Sequence, residues 1–146
     1  MRFRAMQPRD LRQIIAIEDR VSPVPWTRQQ FCDSINNHCA KVLEYPSSLC
    51  GFAIYSAMAD QAQLLNIAIH PESQGCGWGR RLLELIIEEI PAGIDNLFLD
   101  VRVSNFRAIR LYQSYNFHKI GERKSYYRTS NDSVREDALA MCRKMH

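Results

Sequence analysis

Hydrophobic residues recur along the chain in two rhythms. Leu11, Ile14, Ile15 and Glu18 keep the i, i+3, i+4, i+7 spacing of a helix that begins near Pro8 and stops before Ser22-Pro23-Val24-Pro25. A second helix is marked at its start: Thr27 and Gln30 have capping-box spacing, and Trp26 and Phe31 occupy the positions of a hydrophobic staple. Extended segments are predicted at Arg2–Ala5, Ala40–Glu44, Leu49–Tyr55 and Gln63–Ile69, with turn residues Pro46-Ser47-Ser48 and Asp60 between them. Leu82, Leu83, Ile86, Ile87 and Ile90 then form a wide apolar stripe, predicting a helix over Gly77–Ile90 that Pro91 ends. In the strand predicted at Asn96–Val103, Leu97, Leu99, Val101 and Val103 share one face. A helix at Asn105–Tyr115 and strands near Phe117–Tyr126 and Asp137–Met145 complete the order β-α-α-β-β-β-α-β-α-β-β, a mixed α/β layer structure.

The length, 146 residues, fits one domain spanning 1–146, and 46% hydrophobic with 24% charged residues suits a globular chain with a sizeable core. Six glycines and six prolines exclude collagen-like and proline-rich disordered classes. No apolar run reaches the roughly 18 residues of a membrane span, and Met-Arg-Phe-Arg-Ala lacks the apolar core of a signal peptide. The net charge of +3 is scattered, which argues against direct nucleic-acid contact. Cys32, Cys39, Cys50, Cys76 and Cys142 are odd in number and form no C-x-x-C pair, so neither a disulfide framework nor a metal site is expected. A reducing cytoplasm is the expected compartment.

The most informative stretch is His70-Pro71-Glu72-Ser73-Gln74-Gly75-Cys76-Gly77-Trp78-Gly79-Arg80-Arg81. A strand enters it, three glycines alternate within it, and a helix leaves it. Such a turn lets backbone N–H groups approach an anion at the positive end of the helix dipole. Arg80 and Arg81 open the helix while Glu88 and Glu89 close it, opposite to what the dipole favours. Either an external anion is served or these are solvated surface charges. The P-loop spacing is absent, and a G-x-G-x-x-G fingerprint would need glycine where Arg80 stands.

Gln74-Gly75-Cys76-Gly77-Trp78-Gly79 resembles the Q/R-x-x-G-x-G/A signature of the GNAT N-acetyltransferases. Downstream, Leu99-Asp100-Val101-Arg102-Val103-Ser104-Asn105, Ala108-Ile109-Arg110-Leu111-Tyr112 and Phe117 are similar to that family's L-x-V-R-x-S-N…A-x-x-L-Y…F segment. Ile17-Glu18 before Pro25-Trp26, and Tyr126-Tyr127 before Arg135-Glu136-Asp137-Ala138, are similar to the branch that acetylates N-terminal alanines of ribosomal proteins. The resemblance implies a mixed, mostly antiparallel central sheet flanked by helices, with acetyl-CoA as donor and a primary amine as acceptor. It implies that the pantetheine arm lies along Ile67, Ala68 and Ile69, and that the pyrophosphate lies on Gln74, Gly75, Cys76, Gly77, Trp78, Gly79 and Arg80. It further implies that Asn105 contacts the pantetheine region and that Tyr112 protonates the departing thiolate. The implied acceptor is a protein N-terminus, that of a small-subunit ribosomal protein.

The chemistry suits these residues. An α-amino group is neutral roughly one time in seven at pH 7 and a lysine about once in two thousand, so an N-terminal amine needs only modest help from a base. Asp100, placed in a strand where Asp is disfavoured, is the candidate base, acting through water. The plainer reading is an ion pair with Arg102 on the same face, and the branch usually carries Glu at this position. Glu18 is a second candidate. Tyr112 can instead be a core aromatic, since Ala108, Leu111, Tyr112 and Tyr115 keep helical spacing. Trp26 serves the staple or, with Pro25, walls the substrate site. Asn116, where the family has Gly, is expected to tolerate left-handed backbone. Cys76 is read as a bystander, with His70 the nearest histidine in sequence. A mildly basic chain repels a basic acceptor unless acids such as Glu18, Asp19, Glu136 and Asp137 offset it. Two other readings remain: a small-molecule amine acetyltransferase, and a CoA-binding module without turnover.

Overall fold

The computed structural model describes residues 1–131 and 133–146. Its strands are β1 (Arg2–Ala5), β2 (Cys39–Glu44), β3 (Leu49–Met58), β4 (Gln61–Ile69), β5 (Asn96–Arg102), β6 (His118–Arg128) and β7 (Arg135–Lys144). Its helices are α1 (Leu11–Val21), α2 (Arg28–Asn37), α3 (Trp78–Glu89) and α4 (Phe106–Ser114). Hydrogen bonding orders the strands β1-β2-β3-β4-β5-β7-β6. The pairs β1–β2, β2–β3, β5–β7 and β6–β7 are antiparallel, whereas Gln61–Leu64 of β4 run parallel to Asn96–Leu99 of β5. A parallel pair needs a crossover, and α3 lies in the connection between these two strands. The fold is thus the mixed α/β class that the element order predicts, with the mostly antiparallel sheet that the resemblance implies. Among the described residues, no helix is long and apolar enough to cross a membrane.

The chain divides into two compact units: Met1–Ser56 with Leu65–Ile90, and Ala57–Leu64 with Pro91–His146. In the first, Ile14 and Ile17 of α1, Phe31 of α2, and Val42, Phe52 and Ile54 of the sheet are fully or almost fully buried together. Phe31 meets Phe52 edge to face at 5.4 Å between ring centres and meets Trp26 at 5.3 Å, so the predicted staple is formed. The capping box also forms. Gln30 N donates to Thr27 Oγ1 at 3.2 Å and Thr27 N donates to Gln30 Oε1 at 2.8 Å, an arrangement worth about 1 kcal/mol to the helix start.

Several boundaries move, each for a local reason. Pro8–Asp10 forms a 3-10 turn ahead of α1 rather than its first turn. Gly77 lies outside α3 in left-handed backbone, and Ile90 leaves the helix with ψ of 130° because the residue before proline is pushed from the helical region. Asn105 caps α4 rather than belonging to it. Asn116 has φ of 65°, as its place after α4 predicts.

Ahead of α1, an ion cluster ties three segments together, with Arg4 and Asp10 buried and Glu44 partly exposed. The Arg4 guanidinium holds Asp10 through two bonds, of 2.8 and 2.9 Å, and Glu44 through two more, of 3.0 and 2.8 Å. Burial alone would raise the Asp10 pKa, but Arg4 and the Gln7 N–H outweigh it and hold the carboxyl below its ordinary range. The stability that Asp10 contributes is therefore complete above the ordinary carboxylate pKa and is lost only as pH falls through the lower folded value. Asp10→Ala takes two of four carboxylate bonds from a guanidinium that is only 9% exposed, leaving Glu44 as its partner, and should cost about 1–3 kcal/mol in urea unfolding at pH 7. The difference between wild type and variant should shrink below pH 4 or so.

Candidate active site

In the first unit, β4 runs into the predicted turn. His70 N donates to the Cys50 carbonyl at 2.7 Å, and Pro71–Ser73 form a single 3-10 turn. Gln74 then folds back, its Nε2 donating to the Ile69 carbonyl at 3.0 Å, and so fastens the turn to the end of β4. Gly75 and Gly77 have φ of 79° and 88°, the left-handed region in which a side chain is strained. Gly77 is the N-cap and has no side chain with which to cap, so Trp78 and Gly79 keep backbone N–H groups with no intrahelical acceptor.

Gly79 differs from the other two. Its backbone is ordinary, and a Cβ there would touch only the Ile69 Cγ1 at 3.7 Å, an ordinary contact. Neither strain nor crowding within the protein requires glycine at this helical position, which it occupies at about 1 kcal/mol against alanine. An absent side chain there leaves room for a ligand against the backbone.

The other residues of the stretch are quieter. The Trp78 ring packs edge to face on Tyr45 at 6.1 Å. Cys76 Sγ lies 3.7 Å from the Gln74 carbonyl, and His70 Nδ1 accepts from Glu72 N at 3.1 Å, so the two are occupied separately. Arg81 faces Glu88 at 3.7 Å on the exposed surface, a pair worth little. Glu89 is structural: Tyr55 Oη donates to one oxygen at 2.8 Å and Lys41 Nζ lies 2.7 Å from the other. Burial and this carboxylate both push the Tyr55 phenol up. One of the four charges in the inverted pattern of α3, Glu89, therefore has an internal cause.

Glu18, the second base candidate, is 3% exposed. Its Oε2 accepts from Trp26 N at 3.0 Å and from Asn66 Nδ2 at 3.3 Å. Burial pushes its pKa up, and these two bonds only partly oppose the shift.

The second unit holds the other candidates. Leu97, Leu99 and Val101 of β5 are buried, and the alternation turns Asp100 to the opposite face. Among the described residues, the Asp100–Arg102 pair of the plainer reading does not form. Asp100 Oδ1 is instead 3.2 Å from Arg123 Nε of β6, while Arg102 lies 3.4 Å from Glu136 and stacks on the Tyr127 ring at 4.6 Å. Glu136 sits diagonal to Arg102 on the neighbouring β7, and the Arg123 side chain reaches Asp100 from β6, one strand further out. Tyr112 is the buried residue of α4, its ring 5.6 Å from Phe117. Burial in these surroundings pushes its phenol up to about 12. Asn105 Oδ1 accepts from Ala108 N at 3.2 Å, which commits that oxygen to the cap.

Tyr126 and Tyr127 stack edge to face at 5.0 Å, with Arg123 over the former at 5.3 Å. Glu136 accepts from Ser104 N at 2.9 Å, and Asp137 accepts from Ser125 N at 2.8 Å and lies 3.3 Å from Lys124. Neither acid is free to offset a basic acceptor. Arg123 and Asn66 escaped sequence reasoning because only strand register and a contact 48 residues long bring them to Asp100 and Glu18.

The GNAT acetyltransferase family model matches residues 8–117. The chain is 36% identical over 139 residues to the [ribosomal protein bS18]-alanine N-acetyltransferase of Escherichia coli, covering 94% of this chain and 93% of that one. It is 35% identical over 142 residues to the putative enzyme of the same description from Bacillus subtilis, covering 94% and 91%. The crystal structure of the ribosomal-protein-S18-alanine N-acetyltransferase from Escherichia coli superposes with a TM-score of 0.90 at 34% identity, covering 99% of this chain and 93% of that one. A glycine turn opening a helix, a mostly antiparallel sheet and relatives alike over nearly their whole length agree: the chain belongs to the GNAT family of acetyltransferases.

Proposed function

We propose that the protein transfers the acetyl group of acetyl-CoA to the α-amine of a protein N-terminus, with the N-terminal alanine of ribosomal protein bS18 as its acceptor. The observation that carries this reading is 36% identity over 94% of the chain to enzymes of that description. The turn supports the donor. Gly75 and Gly77 shape it, the bare Gly79 leaves space, and the start of α3 offers N–H groups and a positive dipole end to the pyrophosphate. In the same reading Ile67, Ala68 and Ile69 accompany the pantetheine arm.

The amine must lose a proton before it attacks the thioester carbonyl. Asp100, through water, takes that proton, and Arg123 is the cation it releases or shares as it does so. The C–N bond forms, the C–S bond breaks, and the electron pair leaves on sulfur. A phenol whose pKa is pushed up to about 12 stays protonated at every working pH and donates to the developing thiolate. Since a thiol has a pKa near 8.5, this phenol acts chiefly by hydrogen-bond donation. The nitrogen gives up two protons in all: the ammonium proton passes through Asp100 to solvent, and the one shed as the amide forms balances the proton that the thiolate finally keeps.

Labelled acetyl-CoA offered with an Ala-first basic peptide, an internal-lysine peptide and a polyamine should label the first. Label confined to the polyamine would overturn the acceptor assignment. Tyr112→Phe should lower kcat about 100-fold or more with little change in CoA affinity, and the wild-type rate should show no alkaline loss traceable to this phenol below pH 10 or so. Asp100→Ala should lose activity that Asp100→Glu keeps; indifference to both removes Asp100 from the reaction. Gly79→Ala should leave the protein as stable as wild type, or up to about 1 kcal/mol more so, yet weaken CoA binding in calorimetry. Unaltered CoA affinity would take the pyrophosphate off this turn.

A further inference from the structure

Two carboxylates are buried among the described residues, Asp10 and Glu18. Asp10 has the Arg4 guanidinium, but Glu18 is met only by neutral donors, the Trp26 N–H and the Asn66 amide. Both bonds fall on the same oxygen, Oε2. A buried carboxylate without a cation is costly, and departures of this kind gather at functional sites.

The contacts show what the residue does. Glu18 lies in the last turns of α1, where its carbonyl also accepts from Ser22 N at 2.9 Å. Its carboxylate reaches the main chain of the Pro25–Trp26 turn and, across 48 residues, Asn66 of β4. Asn66 directly precedes Ile67, where the proposed function places the thioester arm. The Trp26 ring is half-buried and rests on Phe31, so the core supports it from one side and Glu18 fixes its backbone from another. Three segments are thereby set at fixed separations around one carboxylate.

We infer that Glu18 is a positioning residue for the acceptor: it holds Trp26 and Asn66 as a rigid wall that admits a small first side chain, such as alanine, and disfavours a large one. The inference rests on the proposed acetyl transfer to a protein N-terminus and names the residue that sets its selectivity.

Calorimetry with CoA-saturated enzyme reads acceptor binding without turnover. Glu18→Ala should weaken binding of an Ala-first basic peptide about tenfold or more, narrow the preference for it over a Leu-first peptide, and leave CoA affinity within about twofold. Glu18→Gln should restore Ala-first binding to within about threefold, because its amide oxygen can accept both bonds. It should also remain at least as stable at neutral pH, having no charge to bury. Asn66→Ala, at a half-buried position, removes one donor and should fall between wild type and Glu18→Ala, a check that stands even if Glu18→Ala fails to fold. Wild-type binding and selectivity in a folded Glu18→Ala or in Asn66→Ala would overturn the inference, as would a Glu18→Gln no better than Glu18→Ala. A wild type that neither binds the peptide nor acetylates it defeats the proposed function itself; a wild type that does both while these variants are unaffected defeats only the role of Glu18.

Discussion

To take a pyrophosphate, as proposed, the start of α3 has to leave backbone N–H groups uncommitted. A helix can present them only if no side chain caps it, so Gly77 stands where Ser, Thr or Asp is usual. Chain direction must reverse within a few residues, which places Gly75 and Gly77 in left-handed backbone. What the turn loses in order it recovers at its edges, through the Gln74 bond to the Ile69 carbonyl and the apolar stripe behind it. Leu82, Leu83 and Ile86 are fully buried, each worth about 1.5–3 kcal/mol, which outweighs a glycine cost of about 1 kcal/mol in the first turn. A well-anchored helix can therefore carry an under-satisfied first turn.

The two groups proposed for proton movement sit in contrasting surroundings. Asp100 lies against a cation, Arg123, on a strand face shared with aromatic rings and other charges. Tyr112 lies in hydrocarbon, where burial alone keeps it protonated. Environments of opposite character are how one site holds an acceptor and a donor of protons at the same pH. The guanidinium adds a condition: proton transfer through Asp100 competes with an ion pair already in place.

Patterns confined to a few residues were legible in the sequence. The capping box at Thr27, the Trp26–Phe31 staple, the stripe of α3, the alternation that turns Asp100 from the core and the left-handed Asn116 all depend on neighbours in the chain, and all are found. Partner choice across strands was not legible. The register of β6 on β7 shifts between Arg123 and Tyr127, and Ser125 has φ of 51°, so no counting along the chain brings Arg123 to Asp100. Glu18 lay between the two cases: its helical spacing put it on the apolar side of α1, a place that a helix edge also explains, while Asn66 came from another element altogether.

Charge accounting bears on how the proposed basic acceptor would be held. Glu136 and Asp137 are bound by Arg102, Ser104, Lys124 and Ser125, and Glu18 is buried, so three of the four acids that could have attracted a basic peptide are engaged. The chain itself carries +3. Long-range attraction is then a poor basis for recognition, since exposed charges are screened within about 10 Å at ordinary salt. In the proposed reading, short-range features do the selecting: the indole fixed by Glu18, and an amine basic enough to bind yet neutral often enough to react. These distinguish a chain terminus from a lysine side chain by geometry and proton affinity, so a basic enzyme can act on a basic partner without an attractive field between them.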